Sequence, residues 1–281
     1  MSYRLGSFLL DTVRDGLFRL DGGAMFGIVP KPVWEKVARP DERNRIELSL
    51  NPLLIRTGRA NLLVDTGIGS KRDAKWNDRY GVDHRWSVPE SLASLGLSVR
   101  DIDYVIPSHL HFDHVGGATV LEGGRPIPTF PRATHVIQRV EWDAAHDDNP
   151  RTQGSYLADD FEPLKQAGLV KFVEGDEEVV PGVRVRHTHA HTQGHQIVIV
   201  ESEGRKAAYL GDLLPTAGHV RPGWCMGYDV FPYDVARLKV EILEQAARED
   251  WILILDHDTE TAMARVRGDG KTYRLEPEVR F

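Results

Sequence analysis

Most of the groups in this chain that can hold a cation are concentrated in one short stretch. Ser108-His109-Leu110-His111-Phe112-Asp113-His114-Val115-Gly116-Gly117 places three imidazoles and a carboxylate within six positions. In an extended segment alternate side chains share a face, so His109, His111 and Asp113 can converge while His114 turns another way. That arrangement suits two adjacent metal ions better than one. The competing reading is an exposed polar loop that happens to be rich in histidine.

A second dense stretch is Arg186-His187-Thr188-His189-Ala190-His191-Thr192-Gln193-Gly194-His195. His187, His189 and His191 alternate, so spacing alone leaves all three as candidates for one face. Three carboxylates follow apolar runs: Asp65 in Asp65-Thr66-Gly67, Asp212 after Gly211, and Asp256 beside His257 and Asp258. Asp65 either caps its glycine turn or orients a metal-bound histidine. No Gly-x-Ser-x-Gly elbow is present and Cys225 has no evident activating partner, so covalent catalysis is disfavoured.

The elements that must position these groups follow from periodicity and punctuation. Residues 3 to 20 predict two strands ending at Asp21-Gly22-Gly23, and Lys31 to Ala38 a short helix entered through Pro32. Leu48 to Arg56 and Asn61 to Asp65 read as paired strands, and residues 71 to 88 as a long loop or lid. A helix over Pro89 to Leu97 precedes a buried strand over Ile102 to Ile106. Further strands are predicted at Thr134 to Gln138, Leu169 to Val173, Glu178 to His187, Gln196 to Val200 and Ala207 to Asp212. Asp234 to Glu249 has the spacing of an amphipathic helix. Trp251 to Leu255 is a buried strand, and two short strands around Gly268-Asp269-Gly270 close the chain. Every candidate ligand thus sits at a strand end. Two sheets packed face to face with helices outside would bring those ends to one edge.

Composition narrows the function. A chain of 281 residues with 41% apolar residues can bury a large core, and one domain over residues 1–281 is the expectation. The net charge of −7, with no Lys/Arg cluster longer than a pair, argues against a nucleic-acid partner. No apolar run reaches membrane-spanning length and no signal peptide is evident, so a cytoplasmic protein without membrane contact is expected. The single Cys225 fits that reducing compartment. Aromatic residues in the early loops suit a homodimer.

Taken together, Leu63-Val64-Asp65-Thr66-Gly67, the His109 to His114 motif, His191 before Thr192-Gln193-Gly194-His195, Asp212 after Leu210-Gly211, and His257 resemble the metallo-β-lactamase superfamily in order and spacing. The resemblance implies an α/β fold, an αββα sandwich of two similar halves with a dinuclear site at one edge. Carried over position by position, His109, His111 and His191 would hold one ion, and Asp113, His114 and His257 the other. Asp212 would bridge them. The turn after His191 favours it over His189, and His195 is expected to be structural, with His84, His135 and His146 as surface or packing residues. Such a ligand set suits two divalent ions, Zn²⁺ first, with Mn²⁺, Fe²⁺ or Co²⁺ as alternatives. The mechanism implied is attack by a metal-bridging hydroxide on an ester-like carbonyl, with Asp113 passing a proton to the leaving alkoxide.

Within the superfamily the chain is most similar to the quorum-quenching lactonases that open N-acyl-homoserine lactones, small molecules without a nucleic-acid or membrane component. One departure concerns the substrate contact. Many of those enzymes carry a Tyr three residues after the bridging Asp, where this chain has Pro215. Met25, Phe26, His219 and Tyr228 are the candidate substrate-pocket residues. The alternatives are an organophosphate triesterase and a non-catalytic protein whose ions only staple the fold.

Overall fold

The structure, a computed structural model, describes residues 2–281. The first half of the chain supplies strands β1 (Ser2–Leu5), β2 (Phe8–Thr12), β3 (Leu17–Asp21), β4 (Arg45–Ser49), β5 (Leu53–Arg56), β6 (Asn61–Val64), β7 (Tyr104–Ile106), β8 (Thr119–Glu122), β9 (Arg125–Pro128), β10 (Thr134–Gln138) and β11 (Val170–Val173). The second half supplies β12 (Glu177–Val180), β13 (Val183–His187), β14 (Gln196–Ser202), β15 (Arg205–Tyr209), β16 (Ile252–Ile254), β17 (Thr261–Gly268) and β18 (Tyr273–Arg280). One sheet runs β1-β2-β5-β6-β7-β10-β11 and the other β12-β13-β14-β15-β16-β17-β18, while β3-β4 and β8-β9 form separate ribbons.

Alternation along the strands builds the layers. Leu62 and Val64 face the other sheet, where Val198, Val200, Tyr209, Ile252 and Ile254 meet them. Leu63, between the first two, faces outward with Leu54 and Val105 against Val88 and Leu92 of the helix Val88–Ser94. On the opposite side Leu253 and Leu255 pack beneath Val235, Ile242, Leu243 and Ala246 of the helix Pro232–Glu249. Strands covered on both faces read as unbroken apolar runs, as these do. The result is the expected αββα sandwich.

Local elements depart from the sequence reading where short-range chemistry outweighs periodicity. The amino-terminal segment forms three strands rather than two, and Gly22–Phe26 is a helical turn because the Asp21 carboxylate accepts from Ala24 N–H. The 71 to 88 segment is not all loop. Asp73 caps a helix over Ala74–Tyr80 and Gly81, at φ 54°, ends it, leaving Trp76 and Tyr80 one turn apart against Phe112. The expected strand over Glu178 to His187 is broken at Pro181-Gly182, where Gly182 has φ 84°. The hairpin β8-β9, turned by Gly123 and Gly124 at φ 57° and 79°, was signalled by that Gly-Gly pair but not anticipated. The closing strands β17 and β18 are eight residues each, longer than expected.

Pairing direction fixes the site. β6, β7 and β10 are mutually parallel, and so are β15 and β16. Asp65, Ser108, Asp212 and Asp256-His257 therefore all emerge at carboxyl ends of neighbouring strands. No helix among the described residues is long and apolar enough to cross a membrane.

Candidate metal centre

The seven side chains singled out as ligands meet at this edge, all buried. His109, His111, His191 and Asp212 bring ligand atoms within 4.8 Å of one another. His191 Nε2 lies 3.0 Å from Asp212 Oδ2 and 3.3 Å from His111 Nδ1, while His109 Nε2 is 3.9 Å from the same Oδ2. The other oxygen of Asp212 faces a second group: Oδ1 is 3.5 Å from His114 Nε2 and 3.3 Å from His257 Nε2. Those two nitrogens are 3.3 Å apart, and Asp113 Oδ2 lies 3.7 Å from each. One carboxylate thus turns an oxygen toward each of two clusters.

The far nitrogen of every ring but that of His111 is committed elsewhere. His114 Nδ1 is 2.9 Å from Asp65 Oδ2, His191 Nδ1 is 2.8 Å from Asp229 Oδ1, and His257 Nδ1 donates to the Ser49 carbonyl at 2.9 Å. His109 Nδ1 meets Ser108 Oγ at 3.0 Å. With Nδ1 acting as donor, His114, His191 and His257 present bare Nε2 lone pairs to one another and to carboxylates. His109 Nε2 and Asp212 Oδ1 are buried without a hydrogen-bond partner. Converging lone pairs of this kind are costly unless a cation or protons lie among them, so the donor set fits divalent metal. Titration behaviour agrees. Burial, followed by the neighbouring imidazoles, holds His109 and His111 well below the ordinary value. Burial opposes charge on His191 too, yet Asp212 and Asp229 push it up to about 10; Asp256 and Asp212 likewise lift His257 to about 9.

Behind the ligands stands a frame in which Asp65 takes the histidine-orienting place expected of it, while the part played by Glu141 is unexpected. In the second group the ligand atoms within 4.8 Å of one another belong to His114, Asp212, Asp256 and His257, with Asp256 Oδ2 3.1 Å from His114 Nδ1 and 3.5 Å from His257 Nε2; the expected ligand Asp113 stands beside this group and not in it. Asp65, at φ 57°, accepts from Ser108 N–H, Ser108 Oγ and Tyr209 Oη, tying strand ends β6, β7 and β15 together. Glu141 is buried and accepts four hydrogen bonds, from Leu110 N–H, Tyr156 Oη, Thr192 Oγ1 and Gly194 N–H. It clamps the loop of His109 and His111 to the loop of His191. A Cβ on Gly194 would stand 2.4 Å from the Glu141 backbone nitrogen, so only glycine allows this approach. Glu141 carries no signal in the sequence; its burial in the helix Arg139–Ala144 is what marks it.

The remaining histidines lie outside the clusters. His189 is exposed and stacks on Phe231, whereas His195 is buried with Nδ1 on Thr188 Oγ1. His84 is exposed, His146 pairs with Glu162, and His135 is buried with neither ring nitrogen partnered.

Above the ligands opens a cleft of about 240 Å³ walled by Leu20, Met25, Tyr80, Phe112, Met226 and Tyr228, with His111, Asp113, Asp212 and His257 on its floor. Two of the four candidate pocket residues, Met25 and Tyr228, are in this wall. The other two stand behind it. Phe26 is fully buried between Trp34 and His219, and His219 donates from Nε2 to the Met25 carbonyl while Nδ1 meets Thr216 Oγ1. Burial pushes His219 down to about 3, so it supports the wall as a neutral ring. Pro215 gives the centre only its carbonyl, which accepts from His257 N–H at 2.9 Å.

Comparison with known proteins identifies the family. An N-acyl homoserine lactonase of a Bacillus species is 38% identical over 112 residues, 40% of this chain. That alignment spans only 38% of the relative's own length. A crystal structure described as a probable metal-dependent hydrolase from Staphylococcus aureus is 33% identical, covers 99% of this chain and 100% of its own, and superposes with a TM-score of 0.90. AidC, a dizinc quorum-quenching lactonase solved with an N-acyl-homoserine product, shares the fold at 20% identity, with a TM-score of 0.81 over 99% of this chain and 97% of its own. The model of the metallo-beta-lactamase superfamily matches residues 46–257, which carry every ligand candidate, and the chain belongs to that superfamily.

Proposed function

We propose that residues 1–281 form one metal-dependent hydrolase domain that opens N-acyl-homoserine lactones or closely related lactones, with two divalent ions, Zn²⁺ first, held on either side of Asp212. The carrying observation is that the two oxygens of Asp212 face separate histidine clusters on the floor of a cleft whose walls bear no Lys or Arg. When bound, two such ions would supply Lewis-acid polarisation of a carbonyl and a water whose pKa falls from about 15.7 toward 7.

The chain's own residues would divide the remaining work. Leu20, Met25, Phe112 and Met226 hold an acyl chain and exclude bulk water. Tyr228, more than a third exposed at the rim, offers its hydroxyl to a substrate carbonyl and stands in for the family Tyr that Pro215 replaces. Asp113, on the cleft floor, would take the proton released by the attacking water and pass it to the leaving alkoxide. Two acids stand beside His114 and His257: Asp113 lies on the cleft floor with Oδ2 3.7 Å from both Nε2 atoms, and Asp256 Oδ2 lies 3.1 Å from His114 Nδ1 and 3.5 Å from His257 Nε2; Asp113 would be the ligand on the cleft side.

Agreement with the lactonase relatives and the lone, half-buried Cys225 support action on a small neutral substrate in the cytoplasm. The test is a panel of N-acyl-homoserine lactones of graded chain length, run beside paraoxon on metal-analysed protein. Turnover of lactones far above paraoxon supports the assignment; full metal loading with no ester or lactone hydrolysis refutes it.

A further inference from the structure

The segment from Trp224 to Asp229 serves the centre in two ways, and one carboxylate joins them. Asp229 is fully buried. Its Oδ1 accepts from His191 Nδ1 at 2.8 Å, and its Oδ2 accepts from the backbone N–H of Met226 at 2.7 Å. Met226 is cleft wall and His191 is centre. The same segment is held from outside by Arg151, whose guanidinium donates to the carbonyls of Gly227 at 2.8 Å and Asp229 at 2.9 Å. Gly227 N–H in turn donates to the Ala24 carbonyl at 2.7 Å, next to Met25 in the opposite wall.

We propose that Asp229 is a positioning residue coupling cation affinity at His191 to the shape of the apolar cleft wall. Both of its partners are donors, and an ionised carboxylate is the small side chain that can accept from both at once. Asparagine has one carbonyl oxygen and must fail one of the two. A loosened wall lets the carboxylate drift from His191, and loss of the cation frees the imidazole that steadies the wall. By linkage the effect is equal in both directions. The inference rests on reading His191 as a ligand and the cleft as the substrate site.

The experiment pairs Zn²⁺ competition against a chromophoric chelator with KM measured across acyl-chain length, on wild type, Asp229→Asn and Arg151→Ala. Asp229→Asn weakens Zn²⁺ affinity by about 10- to 100-fold, the usual loss when a ligand histidine loses its orienting partner. Arg151 touches no ligand, yet Arg151→Ala weakens Zn²⁺ affinity by about fivefold or more. Both variants flatten the dependence of KM on chain length. Wild-type Zn²⁺ affinity in either folded variant overturns the coupling, and if Asp229→Asn does not fold, Arg151→Ala alone decides. The chelator arm needs no turnover. A chain that hydrolyses no lactone would therefore refute the substrate assignment while leaving the coupling to stand or fall on Zn²⁺ affinity.

Discussion

The floor and the wall of the cleft are built on different principles. On the floor, His114, His191 and His257 each have one nitrogen pinned by a buried acceptor and the other turned to the centre, and Asp212 sits between two clusters. The wall is assembled from pieces remote in sequence: Met25 from a helical turn, Tyr80 from a short helix, and Met226 and Tyr228 from a loop. A floor of this kind tolerates almost no change, because each group constrains the orientation of the next. A wall of packed apolar side chains can vary one residue at a time and shift preference without losing chemistry.

That contrast orders the expected effects. Asp212→Ala should lower kcat/KM by about a thousandfold or more and reduce bound metal, as element analysis and kinetics on the same sample will show. Glu141→Ala strands four donors between the two ligand loops, and should cost about 3–4 kcal/mol in urea unfolding, with activity falling alongside. Equal stability to wild type would show that the loops are held by something else.

Acidity separates metal-free from metal-loaded protein. In the metal-free chain His191 and His257 are raised to about 10 and about 9, so the stability they contribute is complete below about pH 6.5, their unfolded value. It is lost as pH rises through 9 to 10. Urea midpoints of chelator-treated protein should therefore fall between pH 7 and pH 10, whereas metal-loaded protein, its imidazoles already deprotonated, should change less. Parallel pH profiles for the two forms would contradict the assignment of these histidines as ligands.

On the wall, Tyr228→Phe should raise KM or lower kcat by about three- to tenfold, the worth of one hydrogen bond. The smallest effect belongs to a position in neither region. His135 is buried in β10 with both ring nitrogens unpartnered, and burial keeps it neutral, down to about 4. His135→Leu should leave activity unchanged and leave stability equal or slightly higher.

The same contrast explains what could be read before the fold was known. His109, His111, Asp113 and His114 are contiguous, and Asp65, Asp212 and His257 follow apolar strands, so local pattern and strand-end position announced them. The choice of His191 over His189 needed the family turn; the structure shows His189 stacked outside on Phe231. Asp229, 38 residues from the histidine it orients, carries no local signal. The Ser49 carbonyl that fixes His257 is 208 residues away and is invisible in principle to side-chain reading. Half of the expected wall was legible, Met25 and Tyr228 lining the cleft, and the other half was not, for the same reason. Phe26 and His219 have the right chemistry for a pocket, but packing against Trp34 and Thr216 places them one layer too deep.

Anomalous diffraction from crystals of Zn²⁺-loaded protein tests the central claim most directly. The account predicts two peaks about 3.5–4 Å apart flanking the Asp212 carboxylate, one beside His109, His111 and His191 and one beside His114 and His257. A single peak, or two that leave Asp212 uncoordinated, would contradict it.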